Sequence, residues 1–190
     1  MTPNSLLNLI LIYYVMEPLL FAYVSPSRSS STFCVPWKRN TSDKRSLINF
    51  AASQRGVYAE TSITARDSLL RLARASHKYT ALNLRTVGTF GSVEFRQHQG
   101  IFRTKDALTW VNILLSLRVY AETCTVPQWE LPAYASSCGI KSFIHEVFGE
   151  YTEHLYYEGA EEDVMHSLRR AQNIAISVSY THLRAHETKA

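Results

Sequence analysis

The sequence has few of the residues that mark repetitive, disordered or disulfide-bonded proteins. Its 190 residues include seven glycines and six prolines, with no low-complexity segment and no internal repeat. The three cysteines, Cys34, Cys124 and Cys138, are widely spaced, with no Cys-x-x-Cys pair and no histidine at zinc-ligand spacing from any of them. This argues against a zinc site or a disulfide framework, so a reducing, cytoplasmic location is the simplest expectation.

Strong or clustered positive charge is also lacking. Twenty lysines and arginines against 16 aspartates and glutamates give a formal net charge of +4, and the basic residues are scattered. We therefore expect no nucleic-acid partner. The length is that of one domain or part of one, and it is sufficient to bury a real core.

Leu6 to Met16 is almost wholly apolar, and no lysine or arginine precedes it. A signal peptide needs such a positive start, and a membrane span needs about 20 apolar residues, whereas Glu17 and Pro18 interrupt this run. We favour a buried core helix ending near Met16, because the residue before a proline is disfavoured in a helix. We accordingly expect no membrane partner. The alternative, an anchor over Leu6 to Val24, predicts partitioning with membranes.

Two runs, Lys78 to Leu84 and Gly91 to His98, alternate with the period of a strand whose faces see different surroundings. The short link between them holds two glycines, which is typical of an antiparallel hairpin. We predict strands at about 79–86 and 92–98 with an apolar back. The polar front of this hairpin would consist of Asn83, Arg85, Glu94, Arg96 and His98.

A polar sheet face usually means only that the face is solvated. Here, however, the front combines a carboxylate, guanidinium groups and an imidazole. Arginine suits bidentate contacts to phosphate or carboxylate, and a neighbouring carboxylate can hold a metal ion. The front is therefore a candidate site.

Helical patterns flank the hairpin. A capping-box-like start at Thr64 predicts a helix of about three turns, with Leu69, Leu72 and Ala73 on its apolar face. A second helix is predicted from Thr104, as its cap, to Glu122. We expect its apolar stripe to pack on the back of the hairpin, in an α+β fold with an antiparallel sheet packed by helices. That stripe is Trp110, Leu114, Leu117 and Ala121, with Leu108, Val111 and Leu115 beside it.

The hairpin carries a resemblance to a known family. Tyr79 to Leu84 followed by Gly91 to His98 resembles the paired signature of the amidoligase family, which is related to glutamine synthetase and glutamate–cysteine ligase. Asp106 to Val111 fits the helix that follows in that family. The upstream segment from Glu17 to Arg28, then Phe33-Cys34, is also similar, and the resemblance covers roughly residues 5 to 125.

The resemblance implies a partial glutamine synthetase-like catalytic domain that joins a small-molecule or peptide carboxylate to an amine. ATP and Mg²⁺ would be the cofactors, and the carboxylate would be activated as an acyl phosphate. Phosphoryl transfer needs a metal ion and cations more than covalent help from the protein. The implied roles are Glu94 as metal ligand, Arg96, Asn83 and His98 as catalytic residues, and Arg28 and Arg85 as cofactor contacts.

The sequence departs from the family in lacking the paired glutamates (Glu-x-Glu) and the His-x-His element of full members. We therefore interpret residues 1–176 as the C-terminal portion of the catalytic domain. Residues 177–190 resemble translated sequencing-adapter read-through, so we expect an artefactual or disordered tail. The alternative to a ligase fragment is a non-catalytic binding or interaction module with a solvated polar sheet face.

Overall fold

The computed structural model describes residues 2–39, 47–48, 50–51, 65–101, 103–127 and 130–187. Its centre is helix α1, Pro3–Tyr23, which begins after Thr2, whose side chain accepts a hydrogen bond from the Ser5 backbone N–H. The apolar residues of α1 lie on all sides of the helix, so other elements must cover it. The buried members include Leu7, Ile10, Ile12, Met16, Leu19 and Leu20.

The helix does not end near Met16 as predicted, but runs through Pro18 to Tyr23. Pro18 lacks the N–H that would bond the carbonyl of Tyr14, which disfavours a helix at this point. Leu19 and Leu20, directly beyond the proline, are fully buried. Tertiary burial therefore outweighs the local cost.

By length and composition α1 could cross a membrane, with a hydropathy of 1.7 over its most apolar window. In the structure, 78% of that window is buried inside the protein. This is the packing of a core helix, which the sequence predicted at this position.

The hairpin is present but shorter than predicted. Strands β1, Leu82–Asn83, and β2, Glu94–Phe95, pair antiparallel, with Leu82 opposite Phe95 and Asn83 opposite Glu94. Their connection is a helix, α3, Arg85–Phe90, and not the extension of a strand. Residues 80–84 are all buried, so the alternation in this run does not separate a solvent-exposed face from a buried one. Val35 extends the pairing through a parallel bridge to Thr80.

Helices cover α1 from several directions. Before the hairpin comes α2, Ala65–Ala75, with Leu72 and Ala73 buried as predicted; Thr64, its predicted cap, lies outside the described residues. After the hairpin come α4, Thr104–Thr123, α5, Leu131–Cys138, α6, Ile140–Phe148, α7, Thr152–Leu155, and α8, Ala160–Glu187. Short 3₁₀ turns lie at Pro26–Arg28, Trp37–Arg39 and Gly149–Tyr151.

Helix α4 confirms the predicted 104–122 helix, although Arg103, not Thr104, is its N-cap residue. It packs along α1, where the Asn8 side-chain amide donates to the carbonyl of Ala121 at 3.1 Å. The back of the hairpin faces α4 without closing on it. An apolar groove of about 650 Å³, lined by residues including Phe95 and Leu114, separates the two.

Candidate functional site

Three residues of the predicted polar front meet at one carboxylate oxygen. Asn83 lies opposite Glu94 in the strand pair, and its Nδ2 donates to Glu94 Oε2 at 2.8 Å. Arg96, two residues along from Glu94, donates from Nη2 to the same oxygen, also at 2.8 Å. Asn83 is buried, whereas the Glu94 and Arg96 side chains are partly exposed. We call these three residues the Glu94 cluster.

The cluster keeps Glu94 ionised. Burial would raise the pKa of its carboxyl, but the hydrogen bonds from Asn83 and Arg96, together with the charge of Arg96, outweigh burial and lower that pKa. Glu94 is therefore a carboxylate across the neutral range.

Both the nitrogen and the oxygen of the Asn83 side-chain amide form hydrogen bonds. Its Oδ1 accepts from the backbone N–H of Arg85 at 3.0 Å, at the point where β1 gives way to α3. This bond fixes the amide orientation, so that Nδ2 must point towards Glu94. The Arg85 side chain is exposed, and its guanidinium has no partner among the described residues.

Arg28 binds the backbone directly after β2. Its Nε donates to the carbonyl of Gln97 at 2.9 Å and its Nη2 to the carbonyl of Arg96 at 2.6 Å. The side chain thus holds the chain that follows β2, and two of its donor groups are occupied within the fold. The structure does not bring Arg28 into the Glu94 cluster.

His98 belongs to a separate aromatic group. Its ring lies 5.1 Å from that of Trp110 and 6.1 Å from that of Tyr23, and its Nδ1 is 2.8 Å from the carbonyl of Gln99. Trp110 is itself stacked on Tyr23. The predicted catalytic role of His98 stays a prediction, as do the roles of the other candidate residues.

A buried polar network beneath β2 was not expected from the sequence. Gln97 Nε2 donates to the Tyr13 hydroxyl at 2.5 Å, and that hydroxyl donates to Glu17 Oε1 at 3.1 Å. The same carboxylate oxygen accepts from the backbone N–H of Trp37 at 2.7 Å. The signal was Glu17 itself, because a carboxylate within an all-apolar helix must find partners when the helix is buried.

A family model described as "Putative amidoligase enzyme" matches residues 1–118. The match covers more than half of the chain. The chain belongs to the amidoligase family. The matched segment includes α1, the hairpin with the whole Glu94 cluster, and most of α4. No curated protein and no solved structure gave a match.

Among the described residues of this amidoligase, few side chains could bind a metal ion. No set of three or more His, Cys, Asp or Glu side chains comes together among the described residues. In the Glu94 cluster, Oε2 carries both hydrogen bonds, which leaves Oε1 able to coordinate an ion. Mg²⁺ bound with a nucleotide keeps several waters and takes one or two protein carboxylates, so a single oxygen from Glu94 fits part of such a site.

The amidoligase chain also offers donors for an anion at the same place. Arg96 Nε is buried, and no acceptor for it lies among the described residues. An unsatisfied guanidinium N–H is a costly feature, and an anionic oxygen would relieve it. Arg85 lies two residues after Asn83 in the sequence, and its exposed guanidinium adds positive charge.

Proposed function

We propose that the chain is part of an ATP-dependent carboxylate–amine ligase and that the Glu94 cluster lies in its active site. The observation that carries the proposal is a carboxylate with one free oxygen fixed beside an arginine, on the strand pair that bears the family signature. The substrates would be a small-molecule or peptide carboxylate and an amine. Mg²⁺, when bound, would offset the negative charge of the phosphate groups.

In the reaction, a substrate carboxylate oxygen would attack the γ-phosphorus of ATP, which releases ADP and leaves an acyl phosphate. The amine would then attack the acyl carbon, expel phosphate and lose a proton to give the amide. Arg96 would hold an anionic oxygen of phosphate or substrate. Glu94 would hold Mg²⁺ through Oε1, and Asn83 would keep that carboxylate in place.

Among the described residues the Glu94 cluster contains a single carboxylate, and we propose that further acidic ligands come from sequence outside these 190 residues. On this proposal the chain is a fragment of the catalytic domain and is itself inactive or weakly active. The upstream genomic reading frame provides the direct check. A continuous frame with Glu-x-Glu and His-x-His elements supports the proposal, and a stop codon directly upstream opposes it.

A second candidate function is a non-catalytic binding module. The close Arg96–Glu94 ion pair favours it, because each charge is already compensated within the protein. On that hypothesis the pair is a surface salt bridge worth at most about 1 kcal/mol.

Glu94→Gln and Arg96→Lys in the full reading frame separate the two functions. The first removes the charge that would hold Mg²⁺, and the second replaces the planar fork by a point charge. We expect each to lower ATP-dependent hydroxamate formation by about 10²–10³-fold. The assay uses hydroxylamine as the amine, which traps acyl phosphates, with a panel of amino-acid carboxylates and coupled phosphate release.

The matched controls are Asp106→Asn and Arg103→Lys, which alter an exposed ion pair of 3.0 Å outside the cluster. We expect both controls to retain full turnover. Near-normal turnover in Glu94→Gln, with unchanged folding by circular dichroism, would remove Glu94 from the active site and favour the binding module.

A further inference from the structure

The backbone of Arg96 is held at both of its polar groups. Its N–H donates to the carbonyl of Ala81 at 2.8 Å, and its carbonyl accepts from Arg28 Nη2 at 2.6 Å. The next carbonyl, that of Gln97, accepts from Arg28 Nε at 2.9 Å. Nε and Nη2 form one edge of the planar guanidinium, so the two bonds fix the orientation of two consecutive peptide groups. The position of Arg96 therefore depends on Arg28 as well as on the strand pair.

The Arg28 side chain is itself held within the fold. Arg28 belongs to the 3₁₀ turn Pro26–Arg28, which follows the end of α1, and its backbone N–H donates to the carbonyl of Ser25 at 2.8 Å. The buried Cys34 thiol lies beside its guanidinium: burial raises the pKa of that thiol, and the charge of Arg28 opposes the rise. The edge of the guanidinium that carries Nε and Nη2 is thus occupied by the protein's own carbonyls.

The Arg96 side chain carries the donors that the proposed reaction needs. Its Nη2 donates to Glu94 Oε2 at 2.8 Å, and its buried Nε has no acceptor among the described residues. An anionic oxygen bound at Nε would have to lie within hydrogen-bond distance, about 2.7–3.2 Å, in a nearly linear arrangement. A shift of the Arg96 backbone would move both donors together. A displacement of about 1 Å at such a group can lower turnover about 10²-fold.

We propose that Arg28 is a positioning residue, which holds the backbone of Arg96 so that the Arg96 guanidinium meets the anionic oxygen of the reaction. Arg28 then contacts neither substrate nor cofactor, in contrast to the cofactor contact that the family resemblance implies. A lysine at this position would supply a point charge in place of the two-donor edge. The proposal rests on the proposed function of the Glu94 cluster.

Arg28→Ala in the full reading frame tests this role through turnover in the ATP-dependent hydroxamate assay. We expect kcat to fall about 10–100-fold while the KM for ATP changes less than about twofold, since loss of a direct contact to ATP would instead raise KM. Methylguanidinium in solution should restore part of the lost kcat, because it can donate to the same two carbonyls. Arg28→Lys, which keeps the charge, should be impaired in the same way.

The matched control is Arg39→Ala. Arg39 lies in the next 3₁₀ turn, Trp37–Arg39, and its Nη1 also donates to a backbone carbonyl, that of Ser29 at 3.3 Å. We expect this variant to retain full turnover and to be unaffected by methylguanidinium.

Combining Arg28→Ala with Arg96→Lys shows whether Arg28 acts through Arg96. We expect the double variant to match Arg96→Lys alone within about threefold, because the contribution of Arg96 is lost only once. Multiplied losses, or a raised KM for ATP with unchanged kcat, would overturn the proposal. If Arg96→Lys is impaired and Arg28→Ala is not, only the positioning role fails. If Arg96→Lys alone keeps full turnover, the proposed function fails, and the positioning role fails with it.

A measurement on the 190-residue chain needs no catalysis. Without Arg28, the bond from the Arg96 N–H to the Ala81 carbonyl should open more often, so we expect its amide hydrogen exchange to be about tenfold faster in Arg28→Ala. This change should exceed that of the amides in α4, which report general stability, and Arg39→Ala should match wild type. Nuclear magnetic resonance follows the exchange, circular dichroism checks folding, and Arg28→Lys serves if Arg28→Ala does not fold. Unchanged exchange at Arg96 would overturn the proposal.

Discussion

At the scale of single residues, the Tyr13 hydroxyl joins the core helix to the chain that carries the candidate site. It donates to Glu17 on its own helix and accepts from Gln97, the residue after Arg96. Burial, followed by the nearby charge of Glu17, raises the pKa of Tyr13 well above its ordinary value, so the phenol stays protonated and can act as a donor.

Tyr13→Phe should destabilise the protein by about 1–3 kcal/mol, because the change leaves the buried Gln97 amide and the Glu17 carboxylate without one partner each. Urea unfolding followed by circular dichroism measures the loss. Tyr134→Phe is the control, as its hydroxyl reaches Glu146 at the surface. Equal stability of Tyr13→Phe and wild type would mean that this network contributes nothing to the fold.

The lowered pKa of Glu94 predicts how its contribution to stability depends on pH. A group with a lowered folded-state pKa stabilises the protein above its ordinary pKa, here 4.5, and this contribution is lost as pH falls through the folded value. The stability difference between wild type and Glu94→Gln should therefore be constant near neutrality and shrink below about pH 4.5. Because the pair is partly exposed, we expect less than about 1 kcal/mol. Chemical unfolding across the acidic range would contradict this if the difference grew on acidification.

At the scale of elements, the end of α3 fixes where β2 begins. Gly91 caps the helix with φ of 68°, and its N–H bonds the carbonyl of Val87. Only glycine adopts this left-handed conformation without strain. The Thr86 hydroxyl then donates to the carbonyl of Ser92 at 2.7 Å, which closes the connection.

Gly91→Ala should lower the free energy of unfolding by about 1–2 kcal/mol, because alanine is strained in the left-handed conformation. The space around a new Cβ is empty, so no steric clash adds to this strain. Gly100→Ala also meets empty space and is not in the left-handed region, so it should be near neutral. Thermal unfolding of the two variants in parallel checks the difference. A Gly91 variant as stable as the Gly100 variant would show that the α3 cap adds no constraint.

Helices were predictable here because their signals are local. The apolar residues of α2 and α4 recur at helical spacing, and these helices form close to the predicted bounds. Strand length was not predictable, since it depends on pairing. Beyond Asn83 the chain finds no strand partner in the part that the structure describes, and it turns into α3. The predicted end of α1 near Met16 was wrong for the same reason. The burial on both sides of Pro18 that keeps the helix intact cannot be seen in the local sequence.

The candidate site was predictable only in part. Alternation placed Glu94 and Arg96 on one face, and the register of the pair then brought Asn83 to them. Alternation also placed His98 on that face, and the family resemblance gave Arg28 its role, yet Arg28 contacts backbone carbonyls and His98 lies against Trp110. Such contacts depend on how distant segments pack, which spacing along the chain does not specify.

At the scale of the whole molecule, α8 runs from Ala160 to Glu187, beyond the boundary at 177 that the sequence suggested. Its described buried apolar residues after Ala160 are Val164, Leu168 and Ala171. Whether residues 177–190 form a tail foreign to the protein stays a prediction.

Truncation after residue 176 should change the free energy of unfolding by less than about 1 kcal/mol, which is a melting shift below about 4 °C. Truncation after residue 166 removes Leu168 and Ala171 from the core, so we expect loss of cooperative unfolding. Differential scanning calorimetry of the two shortened chains decides the matter. A large loss of stability in the 176-residue chain would show that the terminal segment contributes to the fold.

The position of α1 also has a consequence for biosynthesis. This helix ends at Tyr23, while α8, which packs on it, begins only at Ala160. At about 5–20 residues per second, the ribosome needs on the order of 10 s to make the chain between them. During that interval the most apolar segment is only partly covered, since α4 is made before α8, and its native contacts are mostly long-range and slow to form. We expect the yield of soluble protein to depend on chaperones that hold the nascent chain until α8 emerges.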